Sequence, residues 1–385
     1  MPQNHSQKKG QLSRTKTIIF KTITFSMVFS FIALSYFSTI LWRSYRHQEH
    51  HPRRVGSVYR VDKDYGYFPK PDSAGFFSQR CQEPVPQVFD HYCFRVPLRK
   101  EQIDLPYRGG ILFLGCSFTH GDGVPAEKTF PYLTAKGLNL RAMNAGMSGA
   151  GLCQMLMRAR QDIPRFKPKY VVVQYSNWLI RRSQRYYKDT SFGKTPGPYF
   201  YEKDGEILIH PPAFLTKNAD VPIVQYLHHS LLSFTWHVGI PLYTHDDYYS
   251  LLTVIKRILG ILPKPAESRK ALVSYTYSEI EKLCRANGSK MIVVKLYMDL
   301  SRMPSYGLDD LGYPVLDTRE MLASRLPEKT RSAWRREYQF MNNNHVIDIH
   351  PNPKAHALIA ESIITKIRTL DAKSEGTAGR AAAAR

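Results

Sequence analysis

Residues 111–121 read ILFLGCSFTHG. Four apolar residues, Ile111 to Leu114, run into Gly115, and a polar turn with Cys116, Ser117, Thr119 and His120 follows. A short apolar run that stops at a glycine is the pattern of a strand buried on both faces, because a half-exposed strand would alternate apolar with polar. Two further stretches share it. LRAMNAG at 140–146 reads as a short strand running into a Gly-rich turn, and KYVVVQYSN at 169–177 is β-branched and apolar through its centre. KMIVVKLYM at 290–298 makes a fourth, after a helix expected over 268–287 and closed by Gly288. Helices are also expected near 128–137, from Leu152 to Arg160, and from Pro353 to Leu370, where Leu358, Ile359, Ser362, Ile363, Ile364, Ile367 and Leu370 fall at helical spacing. Strands alternating with helices predict an α/β fold with a parallel sheet covered on both faces. In such sheets the chemistry lies beyond the carboxyl ends of the strands.

Those strand ends carry polar groups in a definite order. The first presents Gly115-Cys116-Ser117-Phe118-Thr119-His120-Gly121, and the second Asn144-Ala145-Gly146-Met147-Ser148-Gly149-Ala150-Gly151. The third presents Tyr175-Ser176-Asn177, and Asp348-Ile349-His350-Pro351-Asn352 comes just before the last helix. Acyl transfer needs such a set. A serine hydroxyl is a weak nucleophile until a base takes its proton. A neutral imidazole does this near pH 7 when a carboxylate holds its tautomer. The oxyanion that develops on the substrate then needs N–H donors fixed in place.

The four blocks resemble those of the SGNH hydrolases, also called GDSL-like lipases and esterases: GCSFTHGDG the first, NAGMSGAG the second, Asn177 the third and DIHPNPKAHALIAE the last. The resemblance spans residues 111–360. It implies a flavodoxin-like three-layer α/β/α fold, ester or acyl chemistry on lipids or acylated sugars, and no cofactor. By position it implies Ser117 as nucleophile, His350 as general base and Asp348 as the carboxylate that orients it. Ser117, Gly149 and Asn177 are the implied oxyanion-hole donors, with Gly146 the alternative to Gly149. The chain departs from the family at three places. Cys116 stands where the first block usually has Asp. Asn177 lacks its common neighbours, a preceding Gly and a following Asp. Asp348 lies two residues before His350, one closer than is common.

Other readings of these residues stay open at the level of sequence. Cys116 could attack as a thiolate, but on a strand its side chain should point opposite to that of Ser117, into the core. His120 and Asp122 could form a second dyad or a metal site, or simply serve the turn. The Gly-rich loop at 146–151 lacks the Lys-Ser/Thr of a phosphate-binding loop. Asn352 fits an N-cap for the last helix. No histidine or cysteine spacing points to a metal ion.

Working outward, residues 22–42 read TITFSMVFSFIALSYFSTILW without a charge. At helical rise they span about 31 Å, close to the hydrocarbon thickness of a bilayer. Lys8, Lys9, Arg14, Lys16 and Lys21 precede the core of this segment, Trp42 and Arg43 end it, and no A-x-A-like cleavage site follows. Its expected organisation is a basic tail at 1–17, a transmembrane signal anchor at 18–43 and a juxtamembrane linker at 44–60. The hydrolase-like domain is expected at 61–370, and a disordered tail, rich in small residues, at 371–385. Both flanks of the span are basic, so charge hardly orients it. The expected arrangement is a cytoplasmic N-terminus and an exported catalytic domain.

The 385 residues carry a net charge of +22, of which residues 1–60 contribute +9. That balance favours anionic surfaces, but no nucleic-acid-binding signature accompanies it. Residues 57–105 read as irregular or short β structure. Residues 183–265 break the strand-helix rhythm and are expected to be an insertion covering the site, with apolar stretches at 222–236 and 248–262. Cys81 and Cys93 could pair in an oxidising compartment. Three functions fit: a hydrolase acting on an acyl or acetyl ester of a carbohydrate or lipid, an O-acyltransferase modifying an extracellular polysaccharide, and a non-catalytic glycan-binding module.

Overall fold

The computed structural model describes residues 16–35, 53–55, 58–78, 83–98, 104–185, 187–190, 193–212 and 259–383. The chain divides into two compact units, residues 1–51 and 52–385. In the first, Lys16–Ser35 form helix α1, long and apolar enough to cross a membrane. A signal sequence has the same length and composition. Residues 36–43, the rest of the expected span, lie outside the described residues.

The second unit is built on one mixed sheet of nine strands. In chain order these are β1 (Arg53–Val55), β2 (Ser73–Ser78), β3 (Val85–Phe89), β4 (Arg95–Val96), β5 (Ile111–Leu114), β6 (Ala142–Asn144), β7 (Tyr170–Tyr175), β8 (Lys290–Lys295) and β9 (Val315–Asp317). Their spatial order is β1-β2-β3-β4-β6-β5-β7-β8-β9. The last five are mutually parallel: Phe113 sits between Asn144 and Val172, Val172 faces Ile292, and Val293 faces Val315. Counted from β5, this part has the order 2-1-3-4-5, the flavodoxin-like doubly wound arrangement.

Among the described residues the remaining α-helices are α2 (Ser117–His120), α3 (Phe130–Gly137), α4 (Leu152–Phe166), α5 (Asn177–Ser183), α6 (Arg269–Ala286), α7 (Thr318–Ser324), α8 (Arg331–Tyr338) and α9 (Pro353–Ala383). Travel across the sheet reverses after β6, so right-handed crossovers place α3 and α4 on opposite faces. Helix α9 packs beside α3, and α6 beside α4. Both faces of the central strands are thereby covered. Every residue of β5 and β7 is buried, which is why these strands read as continuous apolar runs.

Residues 57–105 add the part that an alternation of strands and helices did not show. Tyr59–Asp62 and Gly66–Pro69 form a hairpin, and β2, β3 and β4 extend the sheet in antiparallel fashion. Connections this short cannot make the crossover that parallel pairing needs, so the sheet is mixed rather than wholly parallel. The last helix, expected to stop at Leu370, continues to Ala383. Asp371 accepts hydrogen bonds from the Tyr170 hydroxyl and, at 2.9 Å, from Lys290 Nζ. Alanine has the best helix propensity, and no proline interrupts the segment.

Within the expected insertion, Tyr187–Thr190 pairs with Gly193–Pro196, and Tyr199–Lys203 with Glu206–His210. The second hairpin leans on α6, where Phe200 meets the Tyr275 ring edge-on at 5.9 Å. Residues 213–258 lie outside the described residues, and with them the stretch at 222–236 and most of that at 248–262. Cys81 also lies outside them. Cys93 is a buried thiol that donates to the Pro69 carbonyl at 3.3 Å.

Candidate active site

The carboxyl end of β5 turns sharply into α2 through Gly115 and Cys116. A side chain at Gly115 has no room: a Cβ there would lie 2.0 Å from Thr119 Oγ1 and 2.5 Å from Gln174 Oε1. Ser117 opens α2, and Gly121 ends it in the left-handed region at φ +83, donating its N–H to the Ser117 carbonyl at 2.8 Å. Ser117 is buried, and its Oγ lies 2.8 Å from His350 Nε2. His350 Nδ1 lies 2.5 Å from Asp348 Oδ1, and the same carboxylate oxygen accepts the His350 backbone N–H at 3.1 Å. Asp348 Oδ1 accepts only, so the proton of a neutral imidazole sits on Nδ1 and Nε2 is free to accept from the serine hydroxyl. The two-residue spacing of Asp348 and His350 suffices because one oxygen binds both the backbone and the ring.

Burial acts to lower the His350 pKa. The Asp348 carboxylate, by charge and by hydrogen bond, outweighs this and holds it above the usual histidine value, with Asp122 and Cys116 adding to the effect. Phe118 closes one side of the imidazole at 5.2 Å, edge to face. The last block is held from behind by Asn352. Its Oδ1 caps α9 by accepting from Ala355 N at 3.0 Å, and its Nδ2 donates to the Glu337 and Gln339 carbonyls. Gln339 in turn donates to the Ile349 carbonyl.

Three candidate N–H donors follow the carboxyl ends of β5, β6 and β7. The Ser117 N–H, the Gly149 N–H and the Asn177 side-chain amide make no hydrogen bond to any other described residue. Gly149 follows β6 and adopts φ +78, a conformation that favours glycine. Gly146 is differently engaged: its N–H goes to Asn144 Oδ1 at 3.1 Å and its carbonyl to His120 Nδ1. A Cβ on Gly146 would lie 2.4 Å from His120 N, so this glycine lets the second loop press against α2. Asn177 opens α5, with its backbone N–H on Met303 Sδ.

No family model matches the chain, and no curated protein matches it. Solved structures similar to it include esterases and lipases. One is a GDSL-like lipase from Bacteroides thetaiotaomicron, with 13% identity, covering 71% of this chain and 91% of that chain, at a TM-score of 0.33. A psychrotrophic esterase from Pseudoalteromonas sp. has 13% identity, covering 68% and 98%, at 0.32. A catalytic mutant of an acetylxylan esterase from Geobacillus stearothermophilus has 12% identity, covering 69% and 96%, at 0.33.

Cys116 is not turned away from Ser117 as neighbours on a strand would be: it lies past the end of β5, at the N-cap of α2, and its sulfur is 3.8 Å from Ser117 Oγ, within reach of the hydroxyl. It is fully buried, and its sulfur accepts from Gln174 Nε2 at 3.2 Å and Trp178 Nε1 at 3.4 Å. Burial raises its pKa, but the Arg182 charge and these N–H donors bring it below the ordinary thiol value. His120 and Asp122 lie buried under the turn, with His120 Nε2 3.7 Å from Asp122 Oδ1. Among the described residues no three His, Cys, Asp or Glu side chains cluster as metal ligands would.

Two buried side chains that sequence reasoning passed over shape the turn. Gln174 accepts from Cys116 N at 3.0 Å and Thr119 Oγ1 at 2.8 Å, while its amide donates to Cys116 Sγ and Ser176 Oγ. Its signal was present: it is the polar residue in the apolar run YVVVQY. Arg95 binds the carbonyls of His120, Gly121 and Val124 at 2.5–2.6 Å, supplying donors that the end of a four-residue helix lacks. Nothing in the sequence around Arg95 marked it.

Proposed function

We propose that this chain is a membrane-tethered serine hydrolase acting on acyl esters of a carbohydrate or lipid. The observation that carries the reading is the 2.8 Å contact between Ser117 Oγ and His350 Nε2, with Asp348 on the other imidazole nitrogen. In this reading His350 takes the Ser117 proton as Oγ attacks the ester carbonyl. The tetrahedral oxyanion is held by the N–H groups of Ser117 and Gly149 and the Asn177 amide. His350 then protonates the departing alkoxide, leaving an acyl-enzyme at Ser117. Water repeats the sequence and releases the acid. The raised basicity of His350 supports its part as proton acceptor, and the free state of the three donors supports theirs. Helix α1 and the uncharged run that follows it support a tether through residues 18–43; in this reading the catalytic unit lies on the exported side.

The test is labelling and turnover. A fluorophosphonate probe should label the wild-type chain at Ser117 and leave Ser117→Ala unlabelled. Hydrolysis of p-nitrophenyl acetate should fall by at least about 10³-fold in Ser117→Ala and His350→Ala, with thermal unfolding little changed. Turnover equal to wild type in both variants sinks the assignment. The same residues serve a transferase, so an excess of polysaccharide acceptor tells the two apart: acyl-polymer formed without matching free acid means transfer.

A further inference from the structure

We propose that Tyr67 and Asp122 are positioning residues that jointly aim the Ser148–Gly149 peptide, and with it the Gly149 N–H, at the oxyanion; the inference rests on the Ser117–His350 reading above. A trans peptide is planar, and its C=O and N–H point in opposite directions. Fixing the Ser148 carbonyl therefore fixes the Gly149 N–H. Tyr67, buried on the 66–69 strand, donates its hydroxyl to that carbonyl. From the nucleophile turn, Asp122 Oδ2 accepts the Ser148 hydroxyl at 2.6 Å. The Asp122 backbone N–H is itself bonded to the Ser117 carbonyl at 3.1 Å. The residue carrying the donor is thus pinned twice, once to the N-terminal hairpin and once to the segment that carries the nucleophile. A glycine at φ +78 is otherwise among the least restrained residues in a chain, and a donor that wanders stabilises no oxyanion.

Asp122 has a second effect that Tyr67 lacks. The groups facing His350 are Asp348 beside it, Asp122 and Cys116 from the nucleophile turn, and His356 on α9. The Asp122 charge acts on the imidazole in the same direction as that of Asp348. Removing it lowers the His350 pKa, so the free base persists to lower pH. The acid limb of the kcat/KM profile should then move to lower pH.

The experiment uses the full chain in detergent and p-nitrophenyl acetate, with fluorophosphonate labelling of the wild type as control. Tyr67→Phe removes one hydroxyl and keeps the buried ring. It should lower kcat roughly tenfold or more, toward the ~10²–10³ loss of a whole oxyanion donor, with KM and the pH profile unmoved. Ser148→Ala should do the same. Asp122→Asn should lower kcat and also shift the acid limb downward. Should Asp122→Asn fail to fold, the other two variants still decide the matter. A wild type that is labelled and active, with kcat in Tyr67→Phe and Ser148→Ala within twofold of it, overturns the inference alone. A wild type that is neither labelled nor active removes the reading beneath it and the inference together.

Discussion

His356 offers a prediction whose size follows from its surroundings. The residue lies on the first turn of α9, six positions after His350, and is fully buried. Its Nδ1 accepts the Phe130 backbone N–H at 3.1 Å, and its ring stacks on Phe130 at 5.5 Å. Protonation would place a donor against a donor and bury a charge without a counter-ion. Burial, helped by the charges of Arg95 and His350, pushes its pKa down from 6.5 to about 3. The unfolded chain binds the proton near pH 6.5 and the folded chain does not, so stability falls as pH drops from 6.5 toward 3. At pH 5 the lag is about 1.5 pH units, or roughly 2 kcal/mol. His350 works in the opposite sense: its folded pKa is raised, so its contribution is present at low pH and is lost as pH rises through that pKa. The clean measurement is therefore a difference. Chemical denaturation of wild type and His356→Gln at pH 7 and pH 5 should show the wild type losing about 2 kcal/mol more than the variant over that interval. A variant that loses as much stability as the wild type would show that His356 does not titrate on unfolding, and would refute the reasoning.

Two further substitutions probe the site. Asp348→Asn keeps the shape at His350 but removes the carboxylate that holds its tautomer and raises its pKa; kcat for p-nitrophenyl acetate should fall about 10³–10⁴-fold, with fluorophosphonate labelling slowed in parallel. A labelling rate equal to wild type would remove Asp348 from the mechanism. Gln174→Leu leaves the Cys116 N–H and the Thr119 hydroxyl without their shared acceptor; a loss of about 2–4 kcal/mol in denaturation, with the Ser117 turn impaired, is expected. An unchanged midpoint would mean that the turn holds without it.

The parallel half of the fold was legible because burial on both faces leaves a plain trace: ILFL is apolar throughout, and YVVVQY is so but for Gln174. The antiparallel half was legible only as short β structure, not as a continuation of the sheet. β2, β3 and β4 are short, Pro-bearing or partly exposed, and what they share is antiparallel pairing with one another, which no local pattern records. The helix end at Ala383 was missed for a different reason. Small residues read as disorder by composition, yet the same alanines extend a helix once its earlier turns are docked. For the candidate site, Ser117, Gly149, Asn177, Asp348 and His350 could be named from residue type and order along the chain, and the structure brings Ser117, His350 and Asp348 into contact. Gln174 left a trace, as the one polar residue of an apolar run, but Arg95 and Tyr67 left none, because each binds a backbone carbonyl of a distant segment, and such contacts leave no mark on the partner's identity.

Chemical type and order along the chain are properties of the sequence, and they alone set out which side chains could take part and at which strand ends they would emerge. Distance is different. Ser117 and His350 are 233 positions apart, and only the 2-1-3-4-5 winding brings the β5 turn under the loop before α9. The orientation of a peptide N–H is likewise a tertiary matter, since a planar amide is turned by whatever holds its carbonyl, and that group comes from elsewhere in the fold.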